Sequence, residues 1–230
     1  MATNNRTPEA EGLEVVVVGS FNPAIFHPEW FLRQKLAGED DVKEAQVNVV
    51  GRDVTDIEIC GLKVVCINDR FSLATANISH AAKMQDFLLH IFALLPHTPV
   101  TACGINSFAH YLIGDTQYWN KIGHTLVPKE LIWNGLLEKP GMQSVIVKGL
   151  RKGDFPGEIN IRVEPSQKIQ PGLYVLSNYH YQMADAAIDS DTTEMLLNFL
   201  KAEWKSALEK ARIVADEILL KIRPDDGEHS

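Results

Sequence analysis

Val100-Thr101-Ala102-Cys103-Gly104-Ile105-Asn106-Ser107-Phe108-Ala109-His110-Tyr111-Leu112-Ile113 follows a proline-bounded helix end and reads as one long strand. Side chains alternate across a strand, so Cys103, Ile105, Ala109, Tyr111 and Ile113 share one face. Gly104, Asn106, Phe108 and His110 share the other. Much of what precedes this strand has a counterpart after it. The stretch therefore opens a second, related half of the chain.

Working backwards, residues 62–74, 54–60 and 45–50 read as three strands, with Gly51-Arg52-Asp53 and Gly61 as turns of an antiparallel meander. Residues 13–18 are a continuous Val-rich run that suits a buried central strand. Between these strands, Pro28 can open a short helix over 29–36, which Gly38 ends. Ser79 is placed to cap a helix whose apolar residues recur at helical spacing from Ala82 to Leu95, and Pro96 stops it.

Working forwards, Gly114-Asp115-Thr116 caps a short helix with Tyr118, Trp119 and Ile122, and a second helical piece is expected over 128–137. Residues 142–150 and 158–164 read as a hairpin, and 173–181 as a last strand. Thr192 or Thr193 caps a long helix to about Ile222, whose stripe is Leu196, Leu200, Trp204, Ala207, Ala211, Val214 and Ile218.

Both halves thus run strand, short helix with Trp, antiparallel strands, long helix. The fold class expected is α+β: one curved antiparallel sheet with pseudo-twofold halves, 13–96 and 99–222, and helices on one face. Residues 1–12 and the acidic 223–230 are expected as disordered tails of a single domain. In its order of elements the chain resembles the duplicated layout of TATA-box-binding-protein-like folds, a topological likeness that transfers no DNA-contacting residue. Asp69-Arg70-Phe71-Ser72-Leu73, an amphipathic helix and then Gly104-Ile105-Asn106 also resemble a broad group of bacterial proteins without an established activity. That likeness covers roughly residues 55 to 222 in layout, with Ser107 where an Arg is expected. It implies a bacterial origin and a fold, and no reaction.

With 45% hydrophobic and 23% charged residues, the composition is that of a soluble globular chain. A net charge of -8 argues against a general binder of phosphate backbones, leaving nucleic-acid binding through the sheet as a third reading. No apolar run is long enough to span a bilayer, and the start lacks the hydrophobic core of a secretory signal. Cys60, Cys66 and Cys103 are spread among strand residues, which fits reduced thiols and a cytosolic location.

No phosphate cradle, nucleophile elbow or zinc spacing occurs, so the sequence calls for no cofactor, no metal and no catalytic residue. Cys103 and His110 lie on opposite faces of one strand and cannot meet without a bulge. The polar candidates are Asn106, His110, Asn178 and His180, which parity places on one sheet face as a possible ligand site. Lys148, Arg151 and Lys152 surround a hairpin tip expected to be solvated, and Asp40-Asp41 an exposed loop. Phe21, Phe26, Trp30 and Phe31 either form a partner-binding knob or, as favoured, staple the first loop to the sheet.

The long helix is the expected partner surface. At ~1.5 Å per residue it could outrun the sheet, so Ala211, Val214, Ile218 and Leu219 are the candidates for contact with another chain or a second copy. The leading expectation is a non-enzymatic binding or assembly protein of a bacterial cytosolic complex. The alternative is a small-ligand sensor or enzyme around His110 and His180.

Overall fold

The computed structural model describes residues 7–151, 154–155, 157–183 and 192–222, the side chains of Lys210 and Ala211 excepted. The chain builds one open nine-stranded sheet in the order β2-β3-β4-β5-β1-β6-β9-β8-β7. Every strand pair is antiparallel. The first half comprises β1 (Ala10–Gly19), α1 (Pro28–Arg33), α2 (Glu39–Lys43), β2 (Gln46–Val50), β3 (Val54–Ile59), β4 (Leu62–Ile67), β5 (Arg70–Thr75) and α3 (Ala81–Leu94). The second comprises β6 (Val100–Leu112), α4 (Thr116–Leu126), β7 (Val145–Arg151), β8 (Gly157–Pro165), β9 (Gly172–Gln182) and α5 (Thr192–Lys221). In each half the last strand returns beside the first, and β1 pairs with β6 at the centre. The α+β class and the pseudo-twofold layout are those expected from sequence.

Several local expectations are corrected. β1 begins at Ala10, inside the expected tail, because Ala10, Glu11 and Gly12 pair with His110, Ala109 and Phe108 of β6. Residues 62–74 are two strands, since Asn68-Asp69 makes a tight turn and Ile67 pairs with Arg70. Asp40-Asp41 lies in α2, where the Asp41 carboxylate accepts the Gly38 N–H at 2.8 Å. Asn77, not Ser79, accepts the first helical N–H ahead of α3. The helix expected over 128–137 is reduced to a 3-10 turn, Trp133–Gly135. The acidic 223–230 and residues 1–6 lie outside the described residues.

The core lies on one face of the sheet. Leu13, Val15 and Val17 of β1, Val64 and Cys66 of β4, Phe71 and Leu73 of β5, and Cys103 and Ile105 of β6 meet α3 and the first half of α5 there. Phe21, Phe26 and Phe31 enter the same core, so the aromatic first loop is stapled down. A second core joins Tyr111, Ile113, Tyr118, Ile122, Leu173 and Val175 to Ala215 and Leu219 of α5 and to Ile222 just beyond it.

α5 does not outrun its support. Its 30 residues span ~45 Å. β6 has 13 residues and runs ~43 Å. At one end the Val100 N–H donates to Thr192 Oγ1 at 3.1 Å. At the other the Tyr118 hydroxyl donates to the Leu219 carbonyl, which ties α4 to α5. Leu219 is therefore core of this chain. Val214 and Ile218 pack partly against the second core, while Ile213 and Leu220 face outward. The Ala211 side chain lies outside the description.

Candidate functional site

Among the described residues the opposite face of the sheet carries no helix, and its side chains alternate with the core positions. β6 offers Gly104, Asn106, Phe108 and His110 to this face, and β9 offers Tyr174, Leu176, Asn178 and His180. The parity expected from sequence is therefore the parity observed.

Register brings some of the expected residues together and separates others. Asn106 stands opposite Asn178, and the Asn178 amide donates to Asn106 Oδ1 at 2.6 Å. The Asn160 amide of β8 donates in turn to Asn178 Oδ1 at 3.2 Å, which extends the pair to a three-strand amide ladder. Each amide has both a donor and an acceptor, so a row of them can chain hydrogen bonds across strands. Asn160 was missed from sequence, although its place opposite Asn178 in a hairpin would have revealed it.

His110 and His180 do not form one site. His180 lies opposite Gly104, six positions along β6 from His110, or roughly 20 Å. His110 is buried, its Nδ1 lies 2.8 Å from Ser166 Oγ, and its ring packs on Tyr174. Ser166 Oγ also accepts the N–H groups of Lys168 and Ile169. The histidine thus fastens the β8–β9 connection. Burial, assisted by Lys168, holds its pKa below the ordinary value. His180 is half-buried and faces Glu158 across β8.

The cations on this face are mostly matched. Lys63 lies 3.5 Å from Asp56, Lys148 2.6 Å from Glu158 and Arg162 3.6 Å from Glu164. Between them, Glu14, Val16, Val65, Arg70 and Asn106 line an open depression of about 680 Å³. Arg151, expected at a solvated tip, turns instead to the core face. It is buried 3.0 Å from Glu203 of α5, over the rings of Tyr179 and Phe199. Lys152 lies outside the described residues.

Thiol chemistry is held down. Burial pushes the Cys60 thiol up to about 11 and Cys66 to about 12, and raises fully buried Cys103 as well. Low-pKa, accessible thiols are the reactive ones. Among the described residues no cluster of His, Cys, Asp and Glu side chains has the make-up of a metal site, and no helix is long and apolar enough to cross a membrane.

The most conspicuous surface is the edge strand β7. Its side chains from Ile146 to Leu150 are exposed on both faces, with Ile146 at 64%, Val147 at 60% and Leu150 at 81%. Its pairing with β8 is regular throughout, and among the described residues no strand pairs with its outer side. The other edge, β2, is shorter and its register shifts between Val47 and Val49. Bulges, short length and charged side chains are how edges are protected from pairing. β7 has no bulge and is longer than β2, and the charge at its centre, Lys148, is paired with Glu158. Leu131, Ile132, Leu136 and Leu137, in the segment leading to β7, are also exposed.

No protein-family model matches this sequence, and a search of curated proteins finds no match.

Proposed function

We propose that this chain is a non-catalytic binding or assembly protein that takes an extended segment of a protein partner, or of a second copy, as an added strand along β7. The observation that carries the reading is the regular β7 edge, on which Ile146, Val147 and Leu150 are exposed around a paired Lys148. Strand addition needs free backbone donors and acceptors for affinity and alternating side-chain positions for specificity. On the sheet face Ile146 and Leu150 flank Lys148, whose charge is answered by Glu158. The bacterial cytosolic setting follows from the sequence resemblance and the cysteine pattern. The long helix contributes Ile213 and Leu220 as a rival partner surface.

A photo-crosslinking residue at position 150, compared with one at position 213, tests the reading in cells that express the chain. Crosslinks to polypeptide from position 150, lost when Ile146→Lys is added, support it. Crosslinks from position 213 alone would move assembly to α5 and refute the β7 assignment.

A second reading, a small-ligand sensor with its polar site on the open face, is favoured by the amide ladder beside the depression at Glu14 and Arg70. Saturable binding of a polar metabolite that Asn106→Leu and Asn178→Leu abolish would select it. Nucleic-acid binding through this face is the third reading. The paired cations weigh against it, because phosphate contacts depend on free Lys and Arg.

A further inference from the structure

The depression on the open face holds two charges that no described residue answers. Glu14 stands on β1 between Ala74 of β5 and Asn106 of β6, and it is half-buried. Its carboxylate has neither an ion pair nor a hydrogen bond among the described residues. Lys63, level with it two strands away, is already paired with Asp56 at 3.5 Å. Arg70 lies at the other end of the same depression, on β5 opposite Val18. Its exposed guanidinium also has no carboxylate among the described residues. Taking water from a charge is costly unless a partner replaces it, which makes Glu14 a group with much to gain from a cation.

The amide ladder supplies a third group. Asn160 donates to Asn178 and Asn178 to Asn106, so the row runs in one direction and ends beside Glu14. The Asn106 amide nitrogen closes the row as a donor with no acceptor among the described residues. A donor at the end of such a chain is strengthened by the bonds behind it. Between the charged ends, Val16 and Val65 give the depression an apolar stretch.

Register sets the length of what can join the two charges. Glu14 is level with Ala74, four residues along β5 from Arg70, or ~13 Å. A hydrogen bond of ~3 Å at each end leaves ~7 Å. At ~3.5 Å per extended residue, that is a chain of two residues.

We propose that this depression binds a zwitterionic dipeptide. Its ammonium meets Glu14, its peptide carbonyl accepts from the Asn106 amide and its carboxylate meets Arg70, with apolar side chains over Val16 and Val65. The site rests on the reading of the open face as a polar ligand site, and it is independent of whether β7 takes a partner strand.

The test is calorimetric titration of the full chain with Ala-Leu, N-acetyl-Ala-Leu, Ala-Leu amide and free leucine, up to about 10 mM, the range that millimolar sites require. Ala-Leu is expected to bind saturably. Acetylation removes the ammonium and amidation the carboxylate, and each should weaken binding about ten-fold, the effect of one hydrogen bond to a charged group. Leucine, too short to reach both ends, should bind no better than the blocked peptides. Glu14→Gln should weaken Ala-Leu about ten-fold and leave N-acetyl-Ala-Leu unchanged, while Arg70→Gln should weaken Ala-Leu and leave the amide unchanged. The blocked peptides probe both contacts on the unaltered chain, so the outcome does not depend on a variant folding. No saturable binding of Ala-Leu, equal affinity for a blocked form or for leucine, or affinity indifferent to Glu14→Gln or Arg70→Gln would each overturn the dipeptide site. Should Ala-Leu fail while another polar metabolite binds and Asn106→Leu abolishes it, the dipeptide falls and the open-face reading stands. Should neither bind, both fall.

Discussion

Leu219→Ala separates two accounts of the long helix, one in which its distal half waits for a partner and one in which it closes the chain's own core. Leu219 is 3% exposed among Tyr111, Tyr118, Ile122 and Leu173, whereas Ile213 on the same helix is 56% exposed. Truncating a buried leucine removes its transfer free energy and leaves a cavity, together about 3 kcal/mol within a usual range of roughly 2–5. In a domain of this size each kcal/mol moves the midpoint roughly 2–4 °C, so the variant should melt about 9 °C lower. Ile213→Ala changes a largely solvated side chain and should stay within about 0.5 kcal/mol. Urea unfolding followed by far-UV circular dichroism measures both, and an unchanged slope m would show that stability alone has moved. The series is run at several protein concentrations, because a contact between chains would make the cost of Leu219→Ala depend on concentration. A cost below about 0.5 kcal/mol, or one that changes with concentration, would refute the placement of Leu219 in the core.

Three further outcomes follow from single contacts. Glu203→Ala leaves the buried Arg151 guanidinium without its carboxylate and should cost about 3 kcal/mol, whereas Arg151→Met combined with Glu203→Leu should recover most of it; equal losses in urea unfolding would contradict the pairing. His110 has its pKa lowered below the ordinary 6.5 by burial, so the unfolded chain binds the proton first. Its contribution is complete above pH 6.5 and is lost as pH falls from there toward the folded value. His110→Gln should flatten the stability profile in that window, and a profile as steep as the wild type's would exclude His110 as its source. Gly12→Ala would set a Cβ 2.4 Å from Phe108 Cζ and 2.7 Å from the Thr75 carbonyl oxygen. It should cost about 2 kcal/mol by overpacking, read from the same unfolding curves.

The fold was legible where periodicity is strong. The faces of β6 follow from alternation alone, and α5 from one stripe; Thr192 and Thr193, expected as its cap, lie within the helix and bond Val100 and Thr98. Elements without a period were not legible: α2 has no apolar stripe, and residues 62–74 look continuous because apolar residues flank the Asn68-Asp69 turn on both sides. Residues 128–137 misled in the opposite sense. They are apolar enough to suggest a helix, but Leu131, Ile132, Leu136 and Leu137 find no core and remain exposed. In the candidate site, parity placed four polar residues on one face but could not say how far apart. Distance across a sheet depends on register, and register joins Asn106 to Asn178 while holding His110 and His180 apart. The β7 edge was readable in principle, since Val145, Val147, Ile146 and Leu150 put apolar side chains on both faces of one strand.

The agreement in length between α5 and β6 accounts for what the sheet leaves exposed and what it covers. A helix of ~45 Å lying along a strand of ~43 Å is used up in the direction of the strands. It therefore lies along β6 and β9 and, among the described residues, reaches β7, two strands further out, at Arg151 alone, leaving Ile146 to Leu150 exposed. The first half differs because its meander ends in the short, bulged β2, which needs less cover. Along its length α5 leaves one core and enters the other, with Trp204 and Ala207 in the first and Ala215 and Leu219 in the second. The covered centre and the bare edge thus have one cause, a single helix matched in length to a single strand across two cores.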